Sequence, residues 1–286
     1  MGRCLVAGGA AAAGAPLPVR MTLVRALASE LVRLRRSPLL PLHLTLGLGL
    51  GLAAGLYFGL TPWDSLLGTD AFFQLLGAGA PLLVGISCGL SVEAEHEAGE
   101  AVNLLGVPSR RVAMAAKGGA LLLLGAGAAT LAAAAFAAMM AACGRALPEA
   151  GALAAAVLGV AAGSAGLYAL GLAVALRWGR NAAIGLGAVG FLVALASLGG
   201  LANGLVTGTL SGGFAAEATA WVPFTWPARL ASLAVELSLA AGGAQAAELV
   251  RVAQLVAVTY AAMTAAGVTV GLACVDWFED RRRSGD

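Results

Sequence analysis

The chain has 286 residues, of which 60% are hydrophobic and only 11% are charged. Its mean hydropathy is +0.89, whereas about 25% of the residues in a soluble domain are charged. This composition excludes a soluble globular protein and a disordered chain, and the net charge of +2 gives no sign of a nucleic-acid partner. The four cysteines contain no C-x-x-C pair, so they indicate neither a zinc site nor a disulfide framework. We therefore expect an integral membrane protein.

The N-terminal region divides at Met21. Residues 1–20 consist mainly of Ala, Gly and Pro, and we interpret them as a disordered tail or a mis-assigned start. Residues 21–37 predict an interfacial amphipathic helix, because leucines recur on one helical face and basic residues on the other. An ordinary positive flank that fixes topology is compatible with the same pattern. The leucines are Leu23, Leu27, Leu31 and Leu34, and the basic residues are Arg25, Arg33 and Arg36.

Six charge-free stretches are long enough to cross the hydrocarbon core, which needs about 20 apolar residues. We predict an all-α integral membrane protein whose six transmembrane helices occupy residues 38–275. Both termini are expected in the cytoplasm, because 14 of the 17 basic residues then lie inside. The predicted spans are 39–60, 71–92, 118–144, 150–176, 181–202 and 252–275, with an external segment at 203–249 and a cytoplasmic tail at 276–286.

Four glycines follow one another at intervals of four residues on the first predicted span. Small residues at this spacing form a groove that lets another helix approach closely in lipid. The groove predicts tight packing, either within the chain or against a second subunit. The glycines are Gly47, Gly51, Gly55 and Gly59.

The loop after the second span, residues 93–106, predicts a short amphipathic helix beneath the membrane. Carboxylates recur along one side of it and small apolar residues along the other, and Gly106 with Pro108 supplies a stop signal. We interpret it as a docking element, because a solvated loop would need no apolar stripe. The docking residues are Glu93, Glu95, Glu97, Glu100, Asn103, Leu104 and Leu105.

The external segment contains an aromatic and proline cluster at residues 221–227. Trp side chains of this kind are typical of anchors at the level of the lipid headgroups. We expect such an anchor here, and residues 228–239 could form a short interfacial or re-entrant helix.

The sequence contains no motif for ATP binding, catalysis or metal binding. It has no P-loop, its only lysine is Lys117, and no catalytic constellation accompanies the spans, so we predict neither ATP binding nor enzymatic activity by this chain. Glu93 and His96 form one E-x-x-H pair, whereas metal sites in helical bundles use two with further carboxylates, so we predict no metal. His43 is the only residue of the Asp, Glu, Lys, Arg and His types inside a predicted span, and it lies close enough to the end of that span to reach the interface. Ion-coupled transporters usually need intramembrane carboxylates or broken helices, so energy for transport would come from elsewhere.

Several of these motifs resemble the permease subunits of ABC-2-type transporters, and in particular the G-type permease of lantibiotic self-protection (immunity) systems. The resemblance covers about residues 21–125. It rests on Arg35-Arg36-Ser37-Pro38 with His43, Pro81-Leu82-Leu83-Val84-Gly85, the Glu93-x-Glu95-x-x-Ala98-Gly99-x-x-x-Asn103-Leu104-Leu105 loop and Lys117.

The resemblance implies a transport subunit in a bacterial cytoplasmic membrane, paired with a second homologous permease or with itself. Two copies of a separate ATPase would carry ATP and Mg, and residues 93–106 would be the coupling helix that docks into them. The interfacial helix would also contact the ATPase, and the glycine groove on the first span would suit the dimer seam. The expected cargo is a lantibiotic-type antimicrobial peptide that is expelled from the membrane.

Two alternatives remain open on the sequence. An ABC-2 exporter of another drug, lipid or peptide would share every feature above and differ only in what lines its path. A non-transporting membrane immunity protein could instead sequester a peptide, but such a binder would have no reason to carry a docking helix.

Overall fold

The computed structural model describes residues 21–98, 107–198, 221–239, 250–251 and 257–269. Every regular element in these ranges is helical, which confirms the all-α fold class. The α-helices are α1 (Leu23–Leu34), α2 (Leu39–Leu60), α3 (Ser65–Glu97), α4 (Arg110–Ala142), α5 (Ala150–Trp178), α6 (Arg180–Ala196) and α7 (Trp226–Leu239), followed by helical residues 257–269.

Four of the helices in the described ranges, α2 to α5, are long and apolar enough to cross a membrane. The predictions for residues 1–20, 99–106, 203–220, 240–249 and 270–286 lie outside the described residues, and so do Glu100, Asn103, Leu104 and Leu105. The predicted sixth span is described as a helix only at 257–269.

Helix α1 begins where the hydroxyl of Thr22 accepts a hydrogen bond from the Arg25 backbone N–H at 3.4 Å. It packs on α4, with Ala26 buried and Leu27 and Leu34 half-buried. Leu23, on the leucine face, stays exposed. The leucine face is therefore shared between the bundle and the surroundings, instead of pointing entirely into lipid as the sequence predicts.

The glycine groove on α2 lies against α4 of the same chain. A Cβ atom at Gly47 would come within 2.6 Å of the Ala128 carbonyl oxygen, and one at Gly55 within 2.7 Å of the Met139 Cβ. Gly51 and Gly59 face the same helix, and the contacts advance in the same direction along α2 and α4, so the two helices run parallel. The structure therefore assigns this groove to packing within the chain, and a subunit seam could not use it without displacing α4.

Helix α3 is longer than the predicted second span. Asp64 caps its start by accepting hydrogen bonds from the backbone N–H groups of Leu66 and Leu67 at 2.9 and 3.0 Å. The helix then continues without interruption to Glu97, over about 50 Å at 1.5 Å per residue. The expectation of a separate helix that begins at Glu93 is wrong, because residues 93–97 form the last turns of α3.

Helix α6 is shorter than the predicted fifth span, since it ends at Ala196 instead of 202. Gly179, with φ of +85°, joins α5 to α6 in a conformation that favours glycine. α6 then packs antiparallel to α3, where Gly85 and Gly187 meet. The bundle has two ends. The end where α2, α4 and α6 begin is called the α1 end, and the other is called the opposite end.

Helix α7 enters the bundle instead of lying on its surface. Its first residues lie against Gly77 of α3 and Gly163 of α5, and each glycine is about 18–20 Å along its own helix from the opposite end. Later residues of α7 contact earlier positions of α3 and α5, so α7 runs from the middle of the bundle back to the opposite end. Trp226 is buried and stacks on Tyr260 at 4.6 Å. The expectation of a headgroup anchor is therefore wrong for Trp226, whereas Trp221 is exposed.

Candidate functional site

A polar cluster between α3 and α7 consists of Asp70, Gln74 and Ser232, and we call it the α7 polar cluster. The Asp70 carboxylate accepts a hydrogen bond from Gln74 Nε2 at 2.8 Å and another from Ser232 Oγ at 2.7 Å. Gln74 Nε2 also lies 3.1 Å from Ser232 Oγ, so the three side chains form a closed set. All three are buried, and Asp70 is only 5% exposed.

Two further charged residues of α7 share the face of Ser232. Arg229 and Glu236 lie three residues before and four residues after it, which is the spacing of one helical face. Both are fully buried. α7 therefore carries a cation, an anion and a hydroxyl into a bundle whose neighbouring core is formed by apolar residues such as Phe72, Phe73 and Phe136.

The α7 polar cluster overturns one conclusion from the sequence. Spans defined by the absence of charge contained His43 but no carboxylate, and the possible re-entrant helix at 228–239 was the one sign of a short membrane helix. The structure instead buries Asp70 within α3 and brings in α7 as a half-length helix. A carboxylate in this setting can hold a proton or pair with a cationic group.

A second polar cluster lies at the α1 end and joins α1, α3 and α4. We call Glu30, Arg33, Ser91, Glu95 and Lys117 the inner network. Lys117 Nζ lies 2.8 Å from Glu95 Oε1 and 3.1 Å from Glu30 Oε2, and the Arg33 guanidinium lies 2.7 Å from Glu95 and 2.8 Å from Glu30. Two cations and two anions therefore neutralise each other.

The side chains of the inner network become more exposed from its centre to its edge. Lys117 and Glu95 are each 3% exposed, whereas the Arg33 side chain is 41% exposed and marks the outer edge of the network. The hydrogen bond to Glu95 raises the pKa of the Arg33 guanidinium, so Arg33 stays charged. Glu95 Oε2 has no hydrogen-bond partner among the described residues.

The inner network changes the interpretation of the predicted docking residues. Glu95 faces inward and is held by Lys117 and Arg33, so the prediction that it is presented to a partner is wrong. Glu93 binds Arg180 at the start of α6 at 2.6 Å. Glu97 and its neighbour His96 are exposed at the end of α3 and remain accessible.

The predicted basic residues of α1 divide into two groups. Arg33 joins the inner network, while Arg25 and Arg36 are exposed. Arg25 lies in the first turn of α1, whereas Arg36 follows the end of the helix at Leu34. Both side chains remain open to headgroups or to a partner.

His43 connects α2 to α3 inside the bundle. It is 0% exposed, its Nδ1 lies 2.8 Å from the Leu39 carbonyl oxygen, and its Nε2 lies 3.2 Å from Ser87 Oγ. The expectation that His43 reaches the interface is therefore wrong. The helix packing turns its ring inward towards α3.

Sequence reasoning missed the members of both clusters that sit outside recognisable motifs. Glu30 carried a signal, because it is the only acidic residue in a basic helix. Lys117 is the only lysine and part of the resemblance, but the sequence reasoning did not assign it to a site. Asp70, Gln74 and Ser232 carried none, since Ser232 is 158 residues from Gln74 and only the fold brings them together. Comparison of the chain with protein-family models and with curated proteins gives no match.

Proposed function

We propose that this chain is the membrane subunit of a transporter, and specifically an exporter of the ABC-2 type. The observation that carries the transport proposal is the α7 polar cluster on a half-length helix inside an apolar bundle. Polar groups within a membrane-embedded bundle are rare and usually mark the pathway of a transported species. Half-length helices that end near the bilayer midplane are common at the binding sites of transporters.

The energy for transport comes, in this proposal, from ATP hydrolysed on a separate partner chain. The exposed Glu97, Arg25 and Arg36 at the α1 end provide charged positions for such a partner. In this proposal the α1 end faces the cytoplasm, which the distribution of basic residues supports. ATP and Mg are bound by the two ATPase copies, and this chain supplies the membrane path.

The cargo in this proposal is a lantibiotic-type peptide, and the host membrane is the bacterial cytoplasmic membrane. The resemblance of residues 21–125 to lantibiotic immunity permeases supports both. A second homologous permease, or a second copy of this chain, completes the path. The alternative is an ABC-2 exporter of another drug, lipid or peptide, which differs from this proposal only in its cargo.

The test has two stages. Mild extraction from native membranes, followed by mass spectrometry of the co-purifying chains, should recover an ATPase and a second permease. The recovered complex is then reconstituted in vesicles and assayed for ATP-dependent movement of a fluorescent lantibiotic. Movement without ATP, or peptide binding without movement, contradicts the proposal, and the latter result favours the sequestering immunity protein.

A second candidate function is favoured by Asp70 alone. A buried intramembrane carboxylate with two neutral hydrogen-bond donors is also the kind of group that couples transport to a proton or cation gradient. Asp70→Asn separates the two functions. In an ATP-driven exporter the variant keeps its response to ATP, whereas in an ion-coupled transporter it loses uptake driven by an imposed gradient.

A further inference from the structure

The ammonium group of Lys117 has all three of its donor positions satisfied by three different ligands. These are Glu95 Oε1 at 2.8 Å, Glu30 Oε2 at 3.1 Å and Ser91 Oγ at 3.3 Å. A lysine ammonium has three N–H donors and no acceptor, so this site matches its full capacity. The ligands come from α1 and α3, while Lys117 itself belongs to α4.

The choice of lysine at this position is informative. Every other basic residue of the chain is an arginine. Arginine presents a planar fork of donors, whereas the ammonium is a compact point charge that can be shared among ligands in three directions. The site therefore fits a lysine ammonium, which can bind ligands from three elements, better than an arginine guanidinium of the same charge.

We propose that Lys117 is a positioning residue that joins α1 to the ends of α3 and α4, so that the three move as one body. This inference rests on the proposed function, in which a partner at the α1 end must move the transmembrane helices. A force applied to the exposed side of α1 then reaches α3 through Glu95 and α4 through Lys117. Glu95 acts within the joint instead of as a docking residue.

The test needs a variant that removes the joint and still folds. Replacing one member of a buried ion pair leaves an uncompensated charge, whereas replacing both members with apolar residues of similar size is often neutral. The double variant Glu95→Met with Lys117→Met meets this requirement, and the Glu30–Arg33 pair within α1 remains. The control is Glu93→Gln with Arg180→Gln, which removes an ion pair at the same end of α3 that does not involve α1.

The first readout is backbone hydrogen exchange of α1 in lipid nanodiscs, which does not depend on transport. In the Glu95/Lys117 variant we expect exchange in α1 to become roughly tenfold faster or more, because the charge-assisted hydrogen bonds that hold it are lost. Exchange in α4 beyond Ala120 should stay unchanged, and the control should leave α1 unchanged. Unchanged exchange of α1 in the double variant overturns the joint, whatever the protein transports.

The second readout is coupling in reconstituted vesicles. We expect the Glu95/Lys117 variant to retain its ATPase partner and to lose most cargo movement per ATP hydrolysed. Lys117→Arg should lower the same ratio, since it keeps the charge but not the three-ligand geometry. If exchange in α1 becomes faster while cargo movement per ATP hydrolysed stays at the level of the unmodified protein, the positioning role is overturned. Absence of ATP-driven transport in the unmodified protein removes the proposed function instead, and the exchange result still decides the joint.

Discussion

The hydroxyl of Ser87 on α3 lies between Nε2 of His43 on α2, at 3.2 Å, and the carbonyl oxygen of Leu83, at 2.6 Å. Because Nδ1 of His43 faces the Leu39 carbonyl, which can only accept, Nδ1 carries the proton of the neutral ring. Nε2 is then an acceptor, and it competes with the Leu83 carbonyl for the single proton of the Ser87 hydroxyl. Apart from this contact, α2 is held mainly by its glycine groove on α4.

Ser87→Ala should lower stability by roughly 1–3 kcal/mol, because it leaves a fully buried imidazole nitrogen without its polar partner. The measurement is thermal unfolding in one detergent. Ser164→Ala is the control, since the Ser164 hydroxyl is also buried but donates only to the Val160 carbonyl of its own helix. Equal losses for the two variants would show that the contact between α2 and α3 contributes nothing.

Gly47→Ala should lower stability and Gly49→Ala should not, although the two positions are on the same helix. A Cβ at Gly47 would meet the Ala128 carbonyl, so α2 and α4 must separate, at a cost of roughly 1–3 kcal/mol. A Cβ at Gly49 meets nothing within 4 Å, and alanine there should be neutral or stabilising by up to about 1 kcal/mol. Thermal unfolding of both variants checks the order, and a destabilising Gly49→Ala would contradict it.

Ser232→Ala should loosen α7 in the bundle. The variant removes the donor to Asp70 and an acceptor for Gln74, so the link between α3 and α7 is lost. We expect hydrogen exchange within α7 to become several-fold faster. Ser238→Ala is the control on the same helix, because the Ser238 hydroxyl donates only to the local Val235 carbonyl, and it should leave exchange unchanged.

Glu97→Lys should weaken association with an ATPase partner by about tenfold, since reversing an interfacial charge replaces attraction with repulsion. The measurement is the amount of the proposed ATPase partner recovered with the purified protein at low and high salt. Glu149→Lys reverses an exposed charge at the opposite end of the bundle and should have no effect. Equal recovery with both variants would remove Glu97 from the proposed docking surface.

The sequence predicted helices best where apolar residues alone define them. The bounds of α2 agree with the predicted span at both ends, because no charge lies within it and Ser37-Pro38 precedes it. The prediction for α3 was too short at both ends, since a search for charge-free stretches stops at Asp70 and at Glu93. Asp70 remains helical because neutral donors surround it, and Glu95 because Lys117 and Arg33 neutralise it.

The candidate sites depended on contacts that no local pattern contains. Residues 223–239 have the aromatic and proline content of an interface anchor, yet they fill a space between helices that Gly77, Gly159, Gly163 and Gly190 leave open. The sequence showed these glycines but not which helix would meet them. In the same way, the stripe of Glu93, Glu97 and Glu100 indicated an amphipathic helix. Only tertiary packing separates the inward Glu95 from the exposed Glu97.

Lys117 also gives the protein a chemical reporter. It is the only side-chain amine in the sequence, and its nitrogen is enclosed by Glu30, Ser91 and Glu95. Acylating reagents that attack amines can therefore modify this side chain only when α1, α3 and α4 separate. The rate at which Lys117 is acylated measures how often that end of the bundle opens, with no engineered label.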